Sequence, residues 1–213
     1  MWRRICITAA TFLALSSPLA AQNQTEEKYR YWEITPHFGY RTNISFTTDQ
    51  VVDGVVSKIK FDEGASYGFA VGGRFNDEDV VEFRWIRQNS KVRFTPALTP
   101  SSDVHLDQFH LDFSHEYEVV GWLEGRPYVM ASIGATRISA SEFFPGFTRF
   151  SFGMGAGLKV FPSPGFGFKV QAQWIPIVFN PKATAFCLSG CVIHFGGKLG
   201  NQVELTAGPS FRF

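Results

Sequence analysis

Gln202-Val203-Glu204-Leu205-Thr206-Ala207-Gly208-Pro209-Ser210-Phe211-Arg212-Phe213 alternates without a break. Val203, Leu205, Ala207, Pro209, Phe211 and Phe213 fall on one parity, and Glu204, Thr206, Gly208, Ser210 and Arg212 on the other. A period of two sends alternate side chains to opposite faces, so the stretch predicts a β-strand with one apolar and one polar face. The pattern holds to its last aromatic residue, whereas the chain ends of water-soluble domains are usually frayed and polar.

The same alternation recurs backwards along the chain. Phe168, Val170, Ala172 and Trp174 alternate with Lys169, Gln171 and Gln173. Phe150, Phe152, Met154, Ala156, Leu158 and Val160 alternate with Ser151, Gly153, Gly155, Gly157 and Lys159. Pro162-Ser163-Pro164-Gly165 joins these two strands as a tight turn, since proline fixes φ and glycine permits positive φ. Earlier strands are predicted at residues 31–41, 66–75, 80–88, 106–117 and 127–137, the third of these losing its parity at Ile86 and Arg87. The connections alternate in length. Residues 42–63, 89–104, 138–148 and 177–201 are long, the first with room for strand extensions, while 76–79, 119–126 and 162–165 are short. Eight strands of about 9–11 residues, each able to cross a bilayer at a tilt, are thus joined by turns that are short on one side and long on the other.

The beginning of the chain follows a different rule. Met1-Trp2-Arg3-Arg4, the apolar run Ile5 to Leu15, and Ser16-Ser17-Pro18-Leu19-Ala20-Ala21 have the charge, apolar core and small-residue order of a secretory signal, with cleavage expected after Ala21. The expected division is residues 1–21 as signal peptide and 22–213 as a single barrel domain. Loss of Arg3 and Arg4 takes the 20 basic residues to 18 against 19 acids, a net of −1, which gives nucleic acid no electrostatic footing. Charges interrupt every later apolar segment, which excludes a helical membrane protein. Phe numbers 23 and Gly 20, a mixture that suits aromatic girdles and a bore lined by small residues. Cys187 and Cys191 remain after signal removal as an even pair in an oxidising compartment, and Ser189-Gly190 between them can bend the chain; a disulfide is expected there, with no metal site.

Phe211-Arg212-Phe213 behind Val203, Leu205 and Ala207, together with Phe152-Gly153-Met154-Gly155-Ala156-Gly157-Leu158-Lys159-Val160-Phe161 and Phe166-Gly167-Phe168, resembles the bacterial outer-membrane β-barrel domain family, the small OmpA-like eight-stranded barrels. The resemblance spans nearly all of the chain after the signal. It implies an all-β fold, an eight-stranded antiparallel up-and-down transmembrane barrel in the bacterial outer membrane. It further implies outer-membrane lipid and the barrel-assembly machinery as partners, Phe211 and Phe213 as the signal that machinery reads, and a monomer. Because such barrels serve diverse functions, the resemblance carries architecture further than activity.

Polar parity places Glu33, Glu82, Asp112, Glu116 and Glu204 inside the bore against Arg74, Arg84, Lys159, Lys169 and Arg212. An eight-stranded barrel is just wide enough for its own side chains, so this balanced set predicts a plug. The expected function is a structural or surface-interaction barrel with a filled lumen; the alternatives are a narrow porin-like channel for ions or small solutes and, more distantly, a lipid-modifying enzyme. His105, Asp107, His110, Asp112, Ser114 and His115 contain the residue types of a hydrolase. However, His110 and Ser114 stand about four strand rises of 3.4 Å apart on one face, and no Gly-x-Ser-x-Gly motif is present. They are read as lumen-filling side chains, with His115 near the periplasmic rim, and no enzyme, catalytic residue or cofactor is expected. Phe143-Phe144-Pro145-Gly146-Phe147 in the third long loop is read as an anchor at the membrane edge.

Overall fold

A computed structural model describes residues 31–42, 44–52, 55–95, 102–118, 125–140, 146–179, 184–186, 192–194 and 199–213. The signal-peptide reading, Cys187 and Cys191 and most of the 143–147 stretch lie outside them. Twelve strands are described: β1 (Trp32–Arg41), β2 (Ile44–Val52), β3 (Val55–Phe61), β4 (Gly64–Arg74), β5 (Asp79–Thr95), β6 (Ser102–Glu116), β7 (Gly125–Ala140), β8 (Phe147–Ser163), β9 (Phe166–Val178), β10 (Thr184–Phe186), β11 (Val192–His194) and β12 (Leu199–Arg212). Eight of them form a closed antiparallel ring in the order β1-β4-β5-β6-β7-β8-β9-β12, with β12 returning to β1. Closure removes the free sheet edges that hydrocarbon would not tolerate.

The strands run past the lengths that alternation predicts. β1 has 10 residues, but β5 and β8 have 17 each, and much of the sequence assigned to long connections is built into the sheet. Asn89 to Val92 pair with His105 to Ser102, so the second long connection is confined to residues 96–101. Residues 42–63 hold the β2–β3 hairpin, whose second strand, β3, adds to the upper end of β5 through Lys58↔Thr95 to Phe61↔Val92. β10 and β11 form a separate two-stranded ribbon in the last long connection.

Exposed apolar side chains form a belt around the ring. On β5, β6 and β7 it comprises Phe83, then Phe109, Leu111 and Phe113, then Val129 and Ile133. Trp32, Phe75, Tyr117, Phe168 and Phe213 border it on the short-turn side, and Tyr40, Tyr67, Phe150 and Trp174 on the other. Two aromatic girdles flanking an apolar band are the signature of a barrel held between two lipid–water interfaces. Along β5 the band extends from Asp79 to Arg87, about 27 Å of strand, or about 21 Å of height at a tilt near 40°.

Ring closure depends on the strand that decided the fold. Trp32 and Phe213 exchange both backbone hydrogen bonds, at 3.1 and 2.9 Å. The β1–β12 register then runs through Glu33↔Arg212 and Ile34↔Phe211 and resumes at Phe38↔Ala207. In the gap Pro36 faces Pro209. Doubly bonded pairs recur every second residue, so this pair falls on a bonding position, and neither proline has an N–H to give. Two ladder bonds are missing at the middle of the seam. Thr35 and Ser210 bridge it from the lumen side through their hydroxyls at 2.7 Å.

Candidate functional site

The contents of the bore decide what this barrel can do. They lie in tiers, and the topmost tier inverts the pattern below it. Within the membrane band, apolar side chains point outward and polar ones inward. Above the row Arg87, Asp107 and Arg137, which neighbour one another across β5, β6 and β7, the outward positions are polar and the inward ones hold Val92, Val104, Leu106 and Ile138 beside Gln88 and Ser90. Beyond the bilayer the outside of the wall meets water, so there the strands follow the rule of a soluble barrel. Arg87 marks the boundary. Its guanidinium grips Asp107 through two hydrogen bonds of 2.7 and 2.9 Å and lies over the Trp85 ring at 5.7 Å.

The inverted tier closes the bore with hydrocarbon. Ile44, Ile86, Val104, Leu106, Ile138, Ile175 and Ile177 are each at most 1 % exposed, and Phe61, Val92 and Phe179 are buried with them. Ile44, Phe61 and Val92 stand in one register row across β2, β3 and β5. Each such side chain contributes about 1.5–3 kcal/mol relative to exposure, so the tier holds itself together without any polar contact.

Interleaved with it, three glutamines from three strands cross the bore, Gln108 in the row of Ile86, Gln88 in that of Leu106 and Gln202 in that of Ile175. Gln108 on β6 donates to Gln202 on β12 at 3.1 Å, and Gln202 donates to Gln88 on β5 at 3.0 Å. Next comes a neutral cluster of two arginines and two carboxylates. Arg84 donates to both oxygens of Asp112, at 2.6 and 3.3 Å, and to Glu204 at 3.2 Å. Arg41 donates to the other oxygen of Glu204 at 2.6 Å, with Ser66 adding a bond of 3.0 Å. The lowest cluster is nearer the short turns. There Lys159 lies 2.9 Å from Glu116 and 3.2 Å from Glu33, Arg212 lies 3.4 Å from Glu33, Arg74 pairs with Glu116, and Lys169 with Glu82. The Tyr128 ring sits between the two lysines at 5.6 and 5.4 Å. Glycines make room for it: a Cβ on Gly157 would collide with that ring, and one on Gly153 would stand 2.6 Å from Gln173 Nε2 and Ser132 Oγ.

All ten charges assigned to the bore by parity are in these clusters. Arg41 is an eleventh, fully buried and absent from the predicted set. It occupies the last position of β1, where alternation alone reads an arginine equally well as an interfacial side chain. With it the network has six cations (Arg41, Arg74, Arg84, Lys159, Lys169, Arg212) against five carboxylates, so the five-to-five balance drawn from the sequence is corrected. The apparent loss of parity at Ile86 and Arg87 is likewise no irregularity. β5 keeps alternating, with Ile86 inside and Arg87 outside, and what changes is the medium around the wall.

The histidine and acid residues of β6 divide by parity. His110, Asp112 and Ser114 are inside. His105, bonded to Asn89, and Asp107, bonded to Arg87, are on the outer face, which corrects their reading as lumen-filling groups. His115 is also outside, at the short-turn rim against Asp79. His110 does meet serines, though from other strands: Nδ1 is 3.1 Å from Ser132 Oγ and Nε2 is 2.8 Å from Ser151 Oγ. Arg84 Nη2 also lies 3.3 Å from Nδ1, and a guanidinium can only donate. Nδ1 therefore accepts, from Arg84 and from the Ser132 hydroxyl, the ring proton sits on Nε2, and His110 donates to Ser151. Asp112, the nearby acid, is held at both oxygens by Arg84. The acid that could orient a His110–Ser132 pair is thus engaged by Arg84.

No protein-family model matches the chain, and no curated protein is similar to it at the level of sequence. Solved structures are similar in fold. The outer membrane protein OprG from Pseudomonas aeruginosa aligns over 87 % of this chain and 96 % of its own, with a TM-score of 0.65 and 14 % identity. Neisserial surface protein A aligns over 85 % and 97 %, with a TM-score of 0.56 and 14 % identity. The outer membrane protein AlkL, solved in lipid bilayers, aligns over 100 % and 97 %, with a TM-score of 0.54 and 11 % identity. At these identities the likeness is one of architecture.

Proposed function

We propose that this eight-stranded β-barrel is a protein of the bacterial outer membrane that acts as a closed barrel with a structural or surface-interaction role. The observation that carries the reading is the apolar tier across the long-turn end of the bore, interleaved with the glutamine row and seated on the two charge clusters. A path for ions must be wetted along its length, and a hydrophobic constriction excludes water. Below that tier, charges held by opposite charges on facing strands leave a hydrated solute no free partners. What this barrel offers its surroundings is its long-turn rim, where strand extensions, the β2–β3 hairpin and the β10–β11 ribbon project past the membrane band.

The capture of Asp112 by Arg84, which keeps that acid from His110, supports a non-enzymatic reading, and the closed ring supports a single copy as the working unit. Phe211 and Phe213 fit the role of an assembly signal. Phe211 packs against Phe166 at 5.5 Å, and Phe213 completes the seam with Trp32. The test of the closed bore is solute entry. Liposomes carrying the purified protein should swell in small sugars and amino acids no faster than protein-free liposomes. Swelling that depends on protein and on solute size would overturn the proposal in favour of a narrow channel.

A further inference from the structure

Outside the bore the described surface has one concavity that neither the fold nor the closed lumen accounts for. A groove of about 670 Å³ opens on the outer wall across β5, β6 and β7 at the short-turn end of the membrane band. Phe113 stands up in its middle, with Val81 and Phe75 on one side and Val129 and Ala131 on the other. The register explains the hollow. Gly73, Val81, Phe113 and Ala131 form one outward row across four strands, with a single large side chain among three small positions. The groove faces hydrocarbon at the level of the leaflet nearer the short turns, which in outer-membrane barrels is the periplasmic side.

One end of the groove is polar, and its charge has a sign. Asn76, Asp79 and His115 border it, with Asp77 and Glu78 in the same turn. His115 has a carboxylate near each ring nitrogen, Asp79 Oδ1 at 2.9 Å from Nδ1 and Glu78 Oε2 at 3.7 Å from Nε2. Two acids thus flank one imidazole, leaving the rim anionic whether or not the ring is protonated. Arg74 does not offset this, because it turns into the bore toward Tyr31 and Glu116. We propose that this groove seats one phospholipid with an amine headgroup, an acyl chain lying beside Phe113 on Val129 and Ala131 and the ammonium group against Glu78 and Asp79. A headgroup that adds no positive charge would set its phosphate against these two carboxylates.

Native mass spectrometry tests the assignment. The full-length mature protein is taken from vesicles of equimolar phosphatidylethanolamine and phosphatidylglycerol, and the lipid that survives detergent release is identified. The wild type should retain one phosphatidylethanolamine in preference to phosphatidylglycerol by about fivefold, the weight of one charge contact at a membrane surface. Ala131→Phe, which fills the groove from the lipid side, should lose the retained lipid. Glu78→Gln with Asp79→Asn should keep a lipid but lose the preference between headgroups. Equal retention of the two lipids by the wild type, or undiminished retention by Ala131→Phe, would overturn the proposal. If Ala131→Phe does not fold, the headgroup ratio in the wild type and the double variant still decides.

Discussion

Among single residues, Arg84 carries the most. It holds Asp112 with two hydrogen bonds and Glu204 with a third, all out of water. Arg84→Leu leaves Asp112 buried with its main partner gone, and breaking a buried pair from one side costs about 3–5 kcal/mol. Arg41→Leu should cost clearly less, because Glu204 keeps Arg84 and Ser66. Equilibrium unfolding of the two variants by urea in lipid vesicles gives the comparison, and equal losses would mean that the cluster is not organised around Arg84. At the other end of the molecule, deleting Phe213 removes the residue that exchanges two backbone bonds with Trp32. Membrane levels of that variant should fall sharply while the refolded barrel stays heat-resistant; normal levels would remove Phe213 from the assembly signal. How much of the bore was legible beforehand also divides by residue. Parity identifies Glu33, Glu82, Lys159 and Lys169 because each lies within the band where outside means lipid. It cannot find partners on facing strands, such as Lys169 with Glu82, because that depends on the curvature of the closed ring.

Among the elements, β5 and the β1–β12 seam show where a period of two stops being sufficient. β5 alternates from end to end, yet its apolar positions switch from Phe83 and Trp85 outside to Ile86 and Val92 inside. A reading that keeps apolar residues on one face ends the strand near Gln88, seven residues before its end at Thr95. The medium changes at Arg87 while the backbone does not, and only the three-dimensional position of the membrane boundary reveals it. The seam has the converse property: Pro36 and Pro209 each fit their strand's pattern, and their juxtaposition emerges only from the register. Two absent ladder bonds, at about 0.5–1.5 kcal/mol each, make this the weakest contact in the ring. Hydrogen exchange should be faster at amides flanking the seam, such as Phe38 and Ala207, than at the β6–β7 pair. Pro36→Val with Pro209→Val should slow it and raise unfolding stability by about 1–3 kcal/mol. Exchange as slow at the seam as at β6–β7 in the wild type would count against a weak closure. In the last long connection, a disulfide between Cys187 and Cys191 is proposed on compartment and parity. Closing so short a loop gains on the order of 2 kcal/mol before strain, so replacing both cysteines with serine should leave the barrel heat-resistant and raise proteolysis only between Asn180 and Asn201. Loss of the barrel in that variant would give the pair a larger role.

At the scale of the whole molecule, the barrel is two structures stacked on one set of strands: an inside-out barrel within the bilayer and a barrel of soluble type above it. The lower part satisfies its buried charges by pairing them across the bore, and the upper part buries isoleucines in the same space. The central claim is that this apolar tier closes the bore, and planar-bilayer conductance tests it most directly. The wild type should give no reproducible current steps, whereas Ile86→Ser, Ile138→Ser and Ile177→Ser combined should give small ones by wetting the tier from three strands. Stable steps from the wild type, unchanged in the triple variant, would contradict the account.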